Sequence, residues 1–378
     1  MIGVPAMARA PFDRWHAVRD RLLASAAFRS WAARFPLTRG LARRRASEAF
    51  DLCAGFVYSQ VLLACVRLRL FEILAERPQT LPVLARRLGL SLEAADRLLA
   101  AGIALRLVAR RDGDRFGLGE LGAAIAGEPA IVAMVEHNAL LYADLADPVA
   151  LLRGTQERTH LAAFWPYAGA RRGADLPADR VAAYSTLMSD SQPLVAGEIM
   201  AAYPFARHRC LLDVGGGEGA FLTTVAERCP QLSLMLFDLP AVVERARERF
   251  MRAGLAARAH CVGGSFLTDP LPTGADIVSL VRVVHDHDAD AVVALLRNVH
   301  RSLPAGGTLL LAEPMAQAPG AERVGDAYFG MYLLAMGSGR ARSPAALAGL
   351  ARQAGFDDVR RLPTRVPLQT GLLVGRKR

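Results

Sequence analysis

The sharpest constraint on this chain is Asp213-Val214-Gly215-Gly216-Gly217-Glu218-Gly219, which follows an apolar run at 210–214 and precedes an amphipathic pattern at 219–228. Glycines so placed let the backbone turn tightly and approach a ligand closely, while the helix N-terminus behind them favours electron-rich groups. The texture after Pro204 fits the same architecture. Short apolar runs at 210–214, 233–237, 259–262, 277–281 and 308–312 alternate with helical patterns at 219–228, 240–253, 288–302 and 343–354. Such alternation is the mark of an α/β fold with a parallel sheet. Two more strands, 359–362 and 371–374, close the chain, and their short connection makes them antiparallel in part. The expected fold is therefore a Rossmann-like domain with a mostly parallel seven-stranded sheet.

Asp238 ends the second strand, roughly 20 residues past the loop, where a carboxylate can accept both ribose hydroxyls of a nucleoside. The loop alone does not choose the nucleoside. Gly215 to Ala220 also satisfies the G-x-G-x-x-A pattern of nicotinamide enzymes, so an NAD-dependent oxidoreductase stays open at this point.

With 378 residues the chain is long enough for two cores. Ahead of the α/β part, 80–88 and 91–103 read as capped helices and 105–110 and 115–118 as strands around an Asp112-Gly113 turn, which together make a winged helix. A basic chain of net charge +10 with such a module invites a DNA-binding reading. The second helix opposes it, because Glu93 and Asp96 stand among its exposed positions, where a recognition helix needs cations and base-edge donors. Dimerisation is the better expectation, supported by the apolar helical stretch 47–77. The expected domains are a basic arm at 1–46, a helical winged-helix dimerisation and lid domain at 47–200, and the cofactor domain at 201–378.

Charge is uneven along the chain. Residues 1–50 hold ten arginines against Asp13, Asp20 and Glu48, interleaved with aromatics such as Trp15, Trp31 and Phe35. That mixture suits either a solvated arm packed on a partner subunit or contact with an anionic membrane surface. The segment 52–66 is too short to span a bilayer. Five cysteines with no CxxC pair and no signal-peptide pattern point to reduced thiols and a cytoplasmic protein, peripheral at a membrane if the arm touches one.

Further motifs carry a family likeness: Phe-Asp-Leu-Pro at 237–240, Leu-Val-Arg-Val-Val-His-Asp-His-Asp at 280–288 and Ala-Glu-Pro at 312–314. With the glycine loop and the winged-helix module, their order resembles the class I S-adenosylmethionine-dependent O-methyltransferases of the caffeate and hydroxyindole type. Within that family, the Arg-rich start and 50–70 are most similar to the acyclic-carotenoid O-methyltransferases of the demethylspheroidene or hydroxyneurosporene type.

The resemblance implies S-adenosylmethionine as cofactor, a homodimer, and no nucleic-acid partner. It makes Asp213, Gly215, Gly216 and Gly217 the methionine-side loop and Asp238 the ribose ligand. It places Ser265 and Phe266 at the adenine, where Ser265 departs from the usual acid, and Arg282, Tyr167 and Gln192 near the cofactor. His285 becomes the base, with Glu313 orienting its second nitrogen; the second acid of the plant-type enzymes falls near Ala341. The acceptor it suggests is the tertiary hydroxyl of an acyclic carotenoid, with a phenol or polyketide as the alternative.

A mean hydropathy of +0.22 agrees with an apolar substrate. His137, Tyr142, Met188, Phe329, Tyr332, Leu333 and Met336 are the candidate pocket residues, although the stripe through Tyr332 and Met336 has the spacing of a helix core face. His285 and His287 would share one face of an extended chain, which raises a metal reading, but the family pattern accounts for His285 and Asp286 without metal. An alcohol with a pKa near water's lies roughly nine units above histidine, so prior deprotonation would cost about 12 kcal/mol. Proton removal is expected to be concerted with methyl transfer.

Overall fold

The structure, a computed structural model, describes residues 11–165, 191–368 and 370–378. It divides into two compact units, residues 1–124 and 125–378.

The first unit opens with helices Pro11–Ala24, Ala26–Arg34, Arg39–Arg67 and Leu70–Glu76. Ser25 separates the first two by capping the second, its Oγ accepting from the Phe28 N–H. The expected boundary at 46 falls inside the unbroken Arg39–Arg67 helix. Residues 39–46 contain no proline and only Gly40 as a weak helix former, so the helix starts well before the apolar run. That helix is long and apolar enough to cross a membrane by length and composition, and most of it is exposed within this chain.

The winged helix follows. Strand β1 (Gln79–Thr80), helices Leu81–Leu88 and Leu92–Ala104, and strands β2 (Val108–Arg111) and β3 (Arg115–Leu118) form a small sheet in the order β1-β3-β2. Gly89 ends the first helix at φ +67°, and Ser91 Oγ accepts from Ala94 N–H to begin the second. Thr80 occupies the cap position without a side-chain bond. The wing strand begins at Val108 rather than Leu105, because Leu105 and Arg106, at φ +61°, complete the helix end. On the second helix Glu93 pairs with Arg97 at 2.7 Å.

The second unit gathers the helices Pro129–Asp144, Pro148–Arg153 and His160–Phe164 and the helical residues 191–202 with the α/β core. The compact units thus divide at 124, ahead of the expected boundary at 200. The reason is packing: Leu141, Leu151, Leu161 and Trp165 share one buried cluster with Tyr332, Leu333 and Met336. Buried Asp144 ties these helices together by accepting the N–H groups of His160 and Leu161.

Strands β4 (Cys210–Val214), β5 (Ser233–Asp238), β6 (Ala259–Gly263), β7 (Ile277–Val281), β8 (Thr308–Glu313), β9 (Asp357–Leu362) and β10 (Gly371–Arg376) form a seven-stranded sheet in the order β6-β5-β4-β7-β8-β10-β9. Strands β4 to β8 run parallel, and β10 lies antiparallel to both β8 and β9. Alternate residues feed opposite cores: Leu309 and Leu311 face one apolar layer, Leu310 and Ala312 the other. The strand order reverses between β4 and β7. Ligands of such sheets bind in the crevice beyond the strands' carboxyl ends at that point.

Candidate active site

Four strand ends deliver the chemistry to that crevice: the glycine loop after β4, Asp238 on β5, the turn after β7 and Glu313 on β8. In the loop, Gly215 has φ +69°, and a side chain there would come within 2.8 Å of Val283. A side chain at Gly216 would lie 2.7 Å from Asp213 Oδ2. Glycine is thus required for both backbone conformation and space.

Two carboxylates flank this cradle. Asp238 accepts from Gly217 N–H and Leu239 N–H, each at 2.7 Å, yet burial still raises its pKa to about 6. Asp213 accepts from Ser279 Oγ–H at 2.6 Å, while its Oδ2 is buried with no hydrogen-bond partner. Burial pushes Asp213 up to about 7, opposed by the Ser279 bond and aided by the charge of Asp238. An orphaned buried carboxylate oxygen beside a glycine cradle fits a ligand that brings hydroxyl donors and positive charge. A dinucleotide's diphosphate would meet repulsion here. Glu218, next in the loop, pairs with Arg245 at 2.6 Å and Arg249 at 3.4 Å on helix Pro240–Arg252.

After β7 the chain turns sharply. Arg282 adopts φ +59°, with Nη1 donating to Ser191 Oγ at 2.6 Å. Val284–Asp286 then form a single 3₁₀ turn, so the extended conformation that would align His285 with His287 does not occur. The His287 ring instead meets Phe266 edge-on at 5.3 Å. Among the described residues no group of three or more His, Cys, Asp or Glu side chains is arranged to hold a metal ion.

The turn holds His285, which is buried. Its Nδ1 lies 2.6 Å from Glu313 Oε2, and Glu313 Oε1 accepts the N–H groups of Val283 (3.0 Å) and Val284 (2.7 Å). Nε2 lies 3.1 Å from Asp286 Oδ1, close enough for an ion pair but not aligned as a hydrogen bond. Burial pulls the His285 pKa down, but the charges of Asp286 and Glu313 outweigh it and the net direction is up. Burial raises Asp286 to about 6 despite the attraction of His285.

The remaining candidates divide. Ser265 spends its N–H on Asp269 Oδ2 at 2.8 Å, and Gln192 is half-buried on the 191–202 helix. Phe329 stands edge-on to His285 at 5.7 Å. The Tyr332 hydroxyl accepts from Trp165 Nε1–H at 3.0 Å and meets His137 Nε2 at 2.6 Å; burial holds His137 down to about 4, so the tyrosine donates to a neutral ring. Tyr332, Leu333 and Met336 are buried in one cluster with Leu141 and Leu161. Tyr142 is half-buried. Tyr167 and Met188 lie outside the described residues.

Sequence reasoning missed the clamp on the histidine turn. Ser338 Oγ donates to Asp286 O, Arg340 N–H to His285 O, and Arg342 to Val284 O and His287 O. These residues surround Ala341, where the plant-type pattern has its second acid. Asp286, adjacent in sequence, supplies the second carboxylate at the ring instead.

Comparison with known proteins finds one enzyme family over most of the chain. The O-methyltransferase domain model covers residues 142–357, and the O-methyltransferase dimerisation domain model covers 50–126. Demethylspheroidene O-methyltransferase of Cereibacter sphaeroides is 46% identical over 91% of this chain and 90% of its own length. The protein of the same name from Rhodobacter capsulatus is 43% identical over 90% and 84%. Among solved structures, a methyltransferase of calicheamicin biosynthesis in its SAH-bound form has a TM-score of 0.73 at 25% identity, covering 89% of this chain and 98% of that one.

Proposed function

This chain belongs to the S-adenosylmethionine-dependent O-methyltransferases, and from that premise we propose that it methylates the tertiary hydroxyl of an acyclic carotenoid of the demethylspheroidene kind. The observation that carries the catalytic part of the proposal is the buried His285, gripped at Nδ1 by Glu313 beside the glycine cradle.

When bound, the cofactor supplies an electrophilic methyl group on a sulfonium centre. Gly215, Gly216 and Gly217 are assigned to its methionine end, Asp238 to the ribose hydroxyls, and Asp213 offers its unpartnered Oδ2 to a donor. Ser265, Phe266, Arg282 and Gln192 are assigned to its rim. Glu313 holds the proton on His285 Nδ1, which leaves the Nε2 lone pair for the acceptor hydroxyl. The roughly nine-unit gap between an alcohol and histidine means Nε2 takes the proton only as the acceptor oxygen commits to its new bond. Asp286, 3.1 Å from Nε2, then stabilises the imidazolium. Phe329, in a T-shaped contact with the ring at 5.7 Å, helps exclude water from the transfer.

The chain carries the family's dimerisation domain and acts as a homodimer. Exposed Phe50, Leu52 and Phe56 within that region are the apolar surface a second copy covers. We place the enzyme in the cytoplasm, peripheral at a membrane, where a carotenoid acceptor dissolves.

The test offers labelled S-adenosylmethionine with separate panels of hydroxylated acyclic carotenoids and phenols, and identifies the product by mass. A methoxylated carotenoid is the expected product. Label confined to the phenols refutes the acceptor assignment and leaves methyl transfer standing.

A further inference from the structure

Ahead of the dimerisation domain, residues 11–34 form two short helices with an uncommon surface. At 3.6 residues per turn, Trp15, Val18 and Leu22 line one stripe of helix Pro11–Ala24. Arg14 and Arg21 fall on one flank of that stripe and Arg19 on the other, while Asp13 and Asp20 occupy the far face. The stripe faces water, with Trp15 61% exposed, and the Arg19 guanidinium lies 5.7 Å over its ring. On the next helix Trp31, 52% exposed, stacks on Phe35 at 5.0 Å, and Arg34 edges the notch beside them. Leu37 follows at 87% exposed. Residues 11–49 carry nine arginines against Asp13, Asp20 and Glu48.

Two occupants suit exposed apolar side chains, and charge separates them. A symmetric dimer interface sets a patch against its own copy, which would oppose this arginine-rich surface to an identical one. The dimerisation model also begins only at residue 50. An anionic lipid surface attracts the same arginines, accepts the apolar stripe below the headgroups, and places tryptophan where its ring is favoured. Helices of 14 and 9 residues are about 21 and 14 Å long, too short to cross a hydrocarbon core of about 30 Å.

We propose that the helices Pro11–Ala24 and Ala26–Arg34 form an interfacial dock for anionic phospholipid, with Trp15, Val18, Leu22 and Trp31 entering the headgroup boundary and Arg14, Arg21 and Arg34 engaging phosphates. The idea deepens the reading of a membrane-dissolved acceptor, and its test uses no methyl transfer, so either can fail without the other.

Full-length protein is sedimented with vesicles of phosphatidylcholine alone and of phosphatidylcholine with phosphatidylglycerol. Binding is expected on the anionic vesicles, at least tenfold weaker on the neutral ones, and lost at 1 M salt on the order expected when the Debye length shrinks to about 3 Å. Trp15→Ser with Trp31→Ser, and separately Arg14→Gln with Arg21→Gln, should each weaken it several-fold while circular dichroism and the dimer's mass stay unchanged. Absence of binding to anionic vesicles overturns the proposal. So does a variant that binds vesicles normally but sediments as a monomer, since the face would then belong to a second copy.

Discussion

Glu313 Oε2 lies 2.6 Å from His285 Nδ1, while Glu313 Oε1 takes the backbone N–H groups of Val283 and Val284. One carboxylate thereby fixes the ring's tautomer and the turn that carries it. The arrangement makes the histidine's rotation and its proton a single structural unit.

His285→Ala should leave cofactor binding intact and lower kcat by about 10²- to 10⁴-fold, the range for loss of a general base. Calorimetry with S-adenosylmethionine and single-turnover methylation measure the two quantities. An unchanged kcat would exclude proton transfer to this ring.

The pH dependence of kcat follows from the neighbours of that ring. Burial favours the neutral form of His285, but Asp286 and Glu313 favour the charged form more, so the folded pKa is raised above the ordinary 6.5. The base must be neutral, and kcat should therefore climb with pH and level off only above that value. Asp286→Asn removes one of the two charges and should move the midpoint to lower pH. A midpoint that stays put or rises would show that Asp286 does not act on the ring.

Stability should respond to Asp213 in the opposite sense from a salt-bridged carboxylate. Its folded pKa, about 7, stands above the ordinary 3.8, so the folded state holds a proton that the unfolded state has released. The associated stability is present below about pH 4 and is lost as pH rises through 7, a change on the order of a few kcal/mol. Asp213→Asn should flatten the unfolding free energy of the cofactor-free protein across that window. An equal change in unfolding free energy between pH 5 and 7.5 for both proteins would contradict the assignment.

Glu218 anchors the cofactor loop to helix Pro240–Arg252 through Arg245 and Arg249. Glu218→Gln should raise KM for S-adenosylmethionine several-fold with kcat nearly unchanged, and Arg245→Lys, which keeps the charge, should lose less. Equal falls in kcat for both variants would point to the reacting geometry instead of the loop.

Much of the site was legible because its signals are local. Glycines at 215–219 after an apolar strand, and an aspartate ending the next strand, act through backbone geometry that a few consecutive residues dictate. The same holds for Gly89 and Ser91, which end and begin the winged-helix helices by cap chemistry. Leu333 and Met336 were less readable. A helical stripe of apolar residues has one period whether it faces a core or a ligand, and its packing against Leu141, Leu151 and Leu161 carries no sequence signal.

Local pattern thus sufficed for the parallel sheet with its antiparallel end, the glycine loop after β4 and the histidine's place beyond a strand end, since each depends on neighbours in the chain. Tertiary structure alone determined what surrounds the histidine. Arg342 reaches back 58 residues to the carbonyl of Val284, and Glu313 crosses from β8 to a turn 28 residues earlier. Neither contact has a spacing to read, because loops carry no period and two parallel strands become neighbours only when the sheet forms. The compact units divide at 124 for the same reason, as the helices after it are buried against the 329–336 helix.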